Sequence, residues 1–329
     1  MAFDNPKVVV VGAGAMGGLF GGLLAEGGLD VTLVDTWDQH IAAIASEGLR
    51  IVGAGGNRAI PVKAATDAGT VAAADVVLFQ CKAFANDVAA QAARHLFIGH
   101  TVAISFQNGL GNEEALGAIL GAENVMGGLT AQAGLVEAPG VVRNFGDLPT
   151  IIGEVSGGLS ARATAIAQAF TRAGLATTAS ADIKRDKWKK LLGNVALGAI
   201  SAVTDLRSFE IMRVPELREI VLRSVDEAAA VAKAEGIALD VAEAREVLMK
   251  LVDTAGGGTG TSKSSMREDI IRRRRTEIDT IHGAVQRLAR RHGLPTPTID
   301  TMIALVKGLE SACLEAVAGS RASAVARRE

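Results

Sequence analysis

Val8-Val9-Val10-Val11-Gly12-Ala13-Gly14-Ala15-Met16-Gly17 runs four β-branched residues straight into a Gly-x-Gly-x-x-Gly turn. The stretch reads as a buried strand that breaks into a helix. Each glycine has its own expected role, since Gly12 makes the tight turn, Gly14 lets a pyrophosphate approach the backbone, and Gly17 lets the helix pack close to the strand. Amides at the start of that helix, at Ala15 and Met16, then face the phosphates. Glycine is abundant in this chain, with 38 residues, so the string counts mainly through its position between a strand and a helix.

The following residues complete the unit. A small, apolar helix from Met16 to Ala25 stops at Glu26-Gly27-Gly28, and Asp30-Val31-Thr32-Leu33-Val34-Asp35 returns as a strand. Asp35 falls about 20 residues beyond the glycines, where a carboxylate accepts hydrogen bonds from adenosine ribose hydroxyls. A 2′-phosphate there would meet like charge. The competing reading makes Asp35 only the start of the next turn or a cap of the helix expected near Trp37 to Ser46.

Length and charge bound the rest. A chain of 329 residues suggests two domains, and a net charge of −2 gives no footprint for nucleic acid or an anionic membrane. The partner is expected to be a small molecule. The N-terminus shows no secretory pattern and no apolar run is long enough to cross a bilayer, so a cytoplasmic protein is expected. Cys81 and Cys313 have no ligand-like spacing, which predicts packed thiols and no metal. Tyrosine is absent, which excludes a tyrosine proton donor.

Further strands are expected at Leu49–Val52 and Ala59–Val62 as a hairpin-like excursion, then at Ala73–Phe79, Thr101–Ser105, Val125–Thr130, Val141–Phe145 and Thr150–Gly153, all but the hairpin extending one sheet. Lys82 follows one strand and Asn108 another, at carboxyl ends where open α/β sheets bind ligands. Asn108 offers both a donor and an acceptor; the bland readings are a solvated loop lysine for Lys82 and an Asn-Gly turn for Asn108. The first domain is expected to span residues 1–179.

Residues 180–329 change texture to helices, expected at Asp182–Leu197, Val214–Glu235, Val241–Asp253, Arg267–His292 and Thr298–Ala318. Gly256 to Ser262 reads as a flexible connection that could serve as a lid, and Arg321 to Glu329 as a frayed end. Lys190 and Asn194 share a helix face, and an ammonium near a helix start is disfavoured by the macrodipole, which suits a proton donor. A solvated lysine cluster is the alternative. Ser265, Asp269 and Thr276 fall together if their helix is continuous, with Glu277 one step round.

Taken in order, Gly12-x-Gly14-x-x-Gly17, Cys81-Lys82-Ala83, Gln107-Asn108-Gly109-Leu110-Gly111, Trp188-Lys189-Lys190-Leu191 with Asn194, and Ser264-Ser265-Met266 leading through Asp269 to Thr276-Glu277-Ile278-Asp279 resemble the ketopantoate reductase (2-dehydropantoate 2-reductase) family. The likeness runs nearly end to end, through Gly293-Leu294-Pro295-Thr296-Pro297. It implies a Rossmann-type α/β N-terminal domain, an all-α C-terminal domain of the 6-phosphogluconate-dehydrogenase-like type, and an active site in the interdomain cleft. It further implies reduction of a 2-oxo acid to a 2-hydroxy acid with a nicotinamide cofactor, best guess ketopantoate to pantoate. Lys190 would then be the general acid and Glu277 would orient substrate or lysine. Lys82 and Asn108 would serve the nicotinamide side and the cleft, and Asn194 with Ser265 the substrate.

Two departures qualify the likeness. Asp35-Thr36-Trp37 replaces the arginine that usually grips a 2′-phosphate, so NAD(H) is expected to be favoured over NADP(H). Gly198 stands where a second substrate-binding asparagine is usual, which keeps open a NAD-dependent dehydrogenase of a different small hydroxy acid. A non-catalytic dinucleotide sensor is the third reading. A homodimer is expected from apolar faces on the C-terminal helices.

Overall fold

The computed structural model describes residues 3–253 and 263–326, with side chains up to residue 313. The stretches read as a lid at 256–262 and as a frayed end at 321–329 lie wholly or partly outside the described residues. The chain divides into two compact units, Met1–Gln107 with Gly111–Asp186, and Asn108–Leu110 with Lys187–Glu329.

In the first unit the order is β1 (Val8–Val11), α1 (Ala15–Glu26), β2 (Val31–Val34), α2 (Asp38–Glu47), β3 (Leu49–Gly53), β4 (Arg58–Ile60), β5 (Lys63–Ala65), β6 (Val76–Phe79) and α3 (Asn86–Ala93). Then come β7 (Val102–Ser105), α4 (Asn112–Leu120), β8 (Val125–Thr130), β9 (Gly134–Ala138), β10 (Val141–Asn144), β11 (Thr150–Glu154), α5 (Ala161–Arg172) and β12 (Thr177–Ser180). The main sheet has eight strands in the order β12-β11-β8-β7-β6-β1-β2-β5. All its pairings are parallel except β8 with β11.

β1 lies between β2 and β6, and its four valines are all buried, as a strand covered on both faces requires. Val8 and Val10 join a core with Phe20 and Leu24 of α1, whereas Val9 and Val11 join one with Ala90 of α3 and Leu116 of α4. Strand order reverses at β1 and β6. Ligands of doubly wound sheets bind at such a reversal.

Val141–Asn144 does not extend this sheet, contrary to the expectation from sequence. β10 pairs in parallel with β3 and antiparallel with β9, making a second sheet in the order β4-β3-β10-β9. The physical reason lies in α1, which both sheets approach closely. A Cβ on Gly22 would stand 2.7 Å from Leu49 and 2.8 Å from Ile51, and one on Gly21 would stand 2.3 Å from Leu33. Helical glycines, each costing about 1 kcal/mol against alanine, are here the condition for contact with two layers.

The second unit is helical: most of α6 (Ile183–Thr204), then α7 (Ser208–Arg213), α8 (Pro215–Ala234), α9 (Val241–Val252), α10 (Ser265–Ile271), α11 (Ile278–Arg291) and α12 (Pro297–Ala326). Trp188, Leu191, Leu192 and Val195 of α6 are buried in one core with Val225 of α8 and Val285 of α11. The expected helix Arg267–His292 is broken between Ile271 and Ile278. Arg273 takes φ 52°, its neighbour Arg274 donates its N–H to the Asp269 carbonyl, and the Thr276 hydroxyl accepts from the Ile278 N–H. The four consecutive arginines 272–275 therefore form a turn rather than continuing the helix. No helix among the described residues is long and apolar enough to cross a membrane.

Candidate functional site

The glycine loop has the geometry its sequence leads one to expect. Gly12 has φ +97°, and a Cβ there would lie 2.3 Å from the Cys81 nitrogen at the end of β6. A Cβ on Gly17 would lie 1.9 Å from the Gly12 carbonyl oxygen, so the close packing is against the turn itself. Gly14 differs: its φ is −61° and a Cβ would meet nothing within 4 Å. Neither backbone conformation nor packing within the protein asks for glycine at 14. A bare, open Cα ahead of the first turn of α1 is the cradle a pyrophosphate fits.

Near this loop stand the other residues that the sequence leads one to expect on the cofactor side. The Asp35 carboxylate follows β2 and accepts the Trp37 N–H at 3.0 Å, so it starts a turn and keeps its remaining lone pairs for a ligand. Lys82 is half-buried in the turn after β6, directly after Cys81. The Gln80 side-chain nitrogen is buried with no protein partner, and the Gln80 Cβ is 3.1 Å from where Gly17 would place its own. An orphaned amide against the loop agrees with a polar ligand there. A cavity of about 340 Å3 bordered by Lys7, Asp30, Lys63 and Thr70 opens at the amino ends of β1, β2 and β5. That is the opposite end of the sheet from the loop, and the cofactor-side residues do not border it.

The second unit brings together three residues far apart in sequence. Lys190 Nζ donates to Asn108 Oδ1 at 3.1 Å, and Asn108 Nδ2 reaches Glu277 Oε2 at 3.5 Å. A donor on one side and an acceptor on the other orient the amide uniquely. Asn108 is held near Glu277 through the neighbouring backbone, where the Leu110 N–H donates to the Thr280 carbonyl and a Cβ on Gly109 would lie 2.1 Å from that oxygen. Glu277, 8 % exposed, occupies the N-cap position of α11 without a side-chain capping bond. The positive end of the helix there suits its charge.

The Lys190 ammonium is held well below the usual lysine range, at about 8. Burial is the largest cause, Lys187 repels it next, and Glu277 acts in the opposite direction. The direction agrees with the expectation from sequence but its cause does not. α6 begins at Ile183, so Lys190 sits about two turns inside, beyond the reach of the terminal dipole. Lys187, itself 9 % exposed, does not stand out among the lysines of the sequence, and its one signal there is the spacing of three to Lys190.

Asn194 is one turn further along α6, and its side chain has no hydrogen bond to the described residues. Ser265 is exposed at the first position of α10. Its neighbour Ser264 does the structural work, accepting the Arg267 N–H and donating to the Gly198 carbonyl at 3.0 Å, which ties α10 to α6. The helix break separates Ser265 and Asp269 from Thr276 and Glu277, so those four do not share a helix face. Thr276 instead is buried and donates its backbone N–H to Glu310. The described residues hold no group of acidic, histidine or cysteine side chains fit for a metal.

Known proteins resemble this chain in sequence and in fold. The model of the ketopantoate reductase PanE/ApbA family matches residues 8–157, and that of its C-terminal domain residues 182–310. A 2-dehydropantoate 2-reductase of Halobacterium salinarum is 36 % identical over 92 % of this chain and 98 % of its own, and one of Pyrococcus horikoshii 34 % over 93 % and 98 %. Among solved structures, a D-mandelate dehydrogenase with NADH and anilino(oxo)acetate superposes with a TM-score of 0.87 at 28 % identity, covering 93 % of this chain and 99 % of the other. A PanE/ApbA family ketopantoate reductase from Ralstonia eutropha superposes with a TM-score of 0.85 at 29 % identity, with the same coverage. With a Rossmann-type sheet, a helical second unit and both family models matched in order, this chain belongs to the ketopantoate reductase family.

Proposed function

We propose that this protein reduces 2-dehydropantoate to pantoate, with Lys190 as the general acid. The observation that carries the reading is the Lys190–Asn108–Glu277 constellation, a half-buried ammonium with its pKa lowered to about 8 and held in register by a carboxamide. We assign dinucleotide binding to residues 1–179 and substrate binding, catalysis and dimerisation to residues 180–329.

A nicotinamide supplies the hydride in such a reaction. The Lys190 ammonium stabilises the alkoxide that develops on the carbonyl oxygen and gives it a proton, ending as a neutral amine. Asn108 accepts one N–H of Lys190 and so aims the others. Glu277 favours the charged ammonium, which readies the lysine for the next turnover. The free amide of Asn194 and the exposed hydroxyl of Ser265 are placed to bind the 2-oxo acid. Gly12, Gly14, Ala15, Met16 and Gly17 hold the pyrophosphate, Asp35 the adenosine ribose, and Lys82 the nicotinamide half. Asp35 selects NAD(H), since a 2′-phosphate would be repelled at that carboxylate. Exposed Ile220, Met249 and Leu305 on the second-unit helices support a homodimer, and two cysteines outside any disulfide suit the cytoplasm.

One observation favours a second reading. A Cβ on Gly198 would meet His282 and Met266 only at 3.9 and 4.0 Å, so packing does not demand glycine where the family resemblance leads one to expect asparagine. That fits a dehydrogenase of another small 2-hydroxy acid. Steady-state rates on 2-dehydropantoate and a panel of 2-oxo and 2-hydroxy acids, each with NADH or NADPH, separate the two. Lys190→Ala is expected to lower kcat by about 10² to 10⁴ while leaving NADH affinity unchanged. Near-normal turnover by that variant would remove Lys190 from the role.

A further inference from the structure

We propose that Trp37 is the platform on which the adenine ring of the dinucleotide stacks, so that Asp35 and Trp37 receive the adenosine half together. The inference rests on the dinucleotide reading above. The indole lies against the His40 imidazole, ring centres 5.0 Å apart and planes 11° from parallel. His40 is fully buried and held at both ring nitrogens. Its Nδ1 accepts the Gly140 N–H at 3.0 Å, which leaves Nε2–H to donate to the Ala13 carbonyl at 3.0 Å. Ala13 belongs to the glycine loop. The indole therefore rests on a ring anchored to the backbone that cradles the pyrophosphate, and the backbone N–H of Trp37 is tied to the Asp35 carboxylate.

Nothing in the fold requires tryptophan here. Trp37 holds the N-cap position of α2, yet its side chain makes no capping hydrogen bond, and it remains 38 % exposed although His40 covers one face. The exposed area thus belongs to the opposite face and the edges. A flat, uncharged, bicyclic ring is what that face can take, because stacking between a base and an aromatic side chain needs only two π-faces. The neighbouring carboxylate fixes the ligand further, as it accepts hydrogen bonds from ribose hydroxyls.

Equilibrium binding of NADH, ADP-ribose and reduced nicotinamide mononucleotide to the full-length protein tests the assignment, by calorimetry and by tryptophan fluorescence. Trp37→Leu is expected to weaken NADH and ADP-ribose by about tenfold, to leave the mononucleotide unchanged and to keep Tm. Trp37→Phe, which retains a π-face, is expected to keep most of the affinity. Unchanged NADH affinity in Trp37→Leu overturns the platform, as does an equal loss for the mononucleotide, which has no adenine. A wild-type protein that binds none of the three overturns the cofactor reading and the platform with it. Turnover plays no part in the measurement, so a failed substrate panel and a failed platform are told apart.

Discussion

Asn108 Oδ1 accepts a hydrogen bond from Lys190 Nζ at 3.1 Å across 82 positions of sequence. The bond joins a residue in the turn after β7 to the third turn of α6, and the same carboxamide continues to Glu277. The bond holds the half-buried lysine at one place, while burial and Lys187 lower its pKa.

The rate of reduction is expected to fall as pH rises through about 8, because only the ammonium can give a proton and its pKa lies there. Lys187→Met removes a like charge and moves that limb to higher pH. Glu277→Gln removes the charge that favours the ammonium and moves it lower. Profiles of kcat/KM against pH for the three proteins check the signs. A limb that stays in place in both variants would show that another group titrates.

Lys190 also costs stability. Its charged form is less favourable in the folded chain, with a pKa of about 8 against an ordinary value of 10.5. The cost is complete below about pH 8 and disappears as pH rises through 10.5, where the unfolded chain too loses the proton. Lys190→Met is expected to be more stable at pH 7, by on the order of 1 to 3 kcal/mol, with the gain shrinking toward pH 10.5. Urea denaturation at the two pH values reads it.

NADH is expected to give a higher kcat/KM than NADPH. Asp35→Ala should narrow the ratio, mostly by improving NADPH, because a like charge near the 2′-phosphate is gone. Equal use of both cofactors by the wild-type protein would show that Asp35 does not select.

His282 is fully buried, donates from Nε2 to the Val195 carbonyl and has its pKa pushed down to about 4 by burial. The folded chain keeps it neutral while the unfolded chain protonates it near 6.5, so stability is expected to fall as pH drops from 6.5 toward 4. His282→Gln should flatten that part of a Tm-against-pH curve. An unchanged slope would assign the loss to other groups.

Much of this protein is decided within short stretches of chain. Four valines and three glycines specify a strand, a turn and a helix because β-branching, positive φ and close approach act between near neighbours. The helices at Val241–Val252 and Pro215–Ala234 follow in the same way, from an Asp240 cap and a proline in the first turn. The order of motifs from Gly12 to Asp279 is enough to point to the family. Pairing across long separations is not legible: Val141–Asn144 reads as one more strand of the main sheet until β3 supplies the neighbour it takes instead. Nor is the break at Arg273, where a run of good helix formers yields to the hydrogen bonds of Asp269 and Thr276. The glycine loop is visible as a phosphate cradle, but its support by His40 and Trp37 needs α2 and Gly140 in place. Lys190 can be picked out from its helical spacing to Asn194, whereas its lowered pKa comes from burial and from Lys187. Sequence sets local conformation, but desolvation and charge act through space, and only the folded chain decides which groups exclude water from that ammonium.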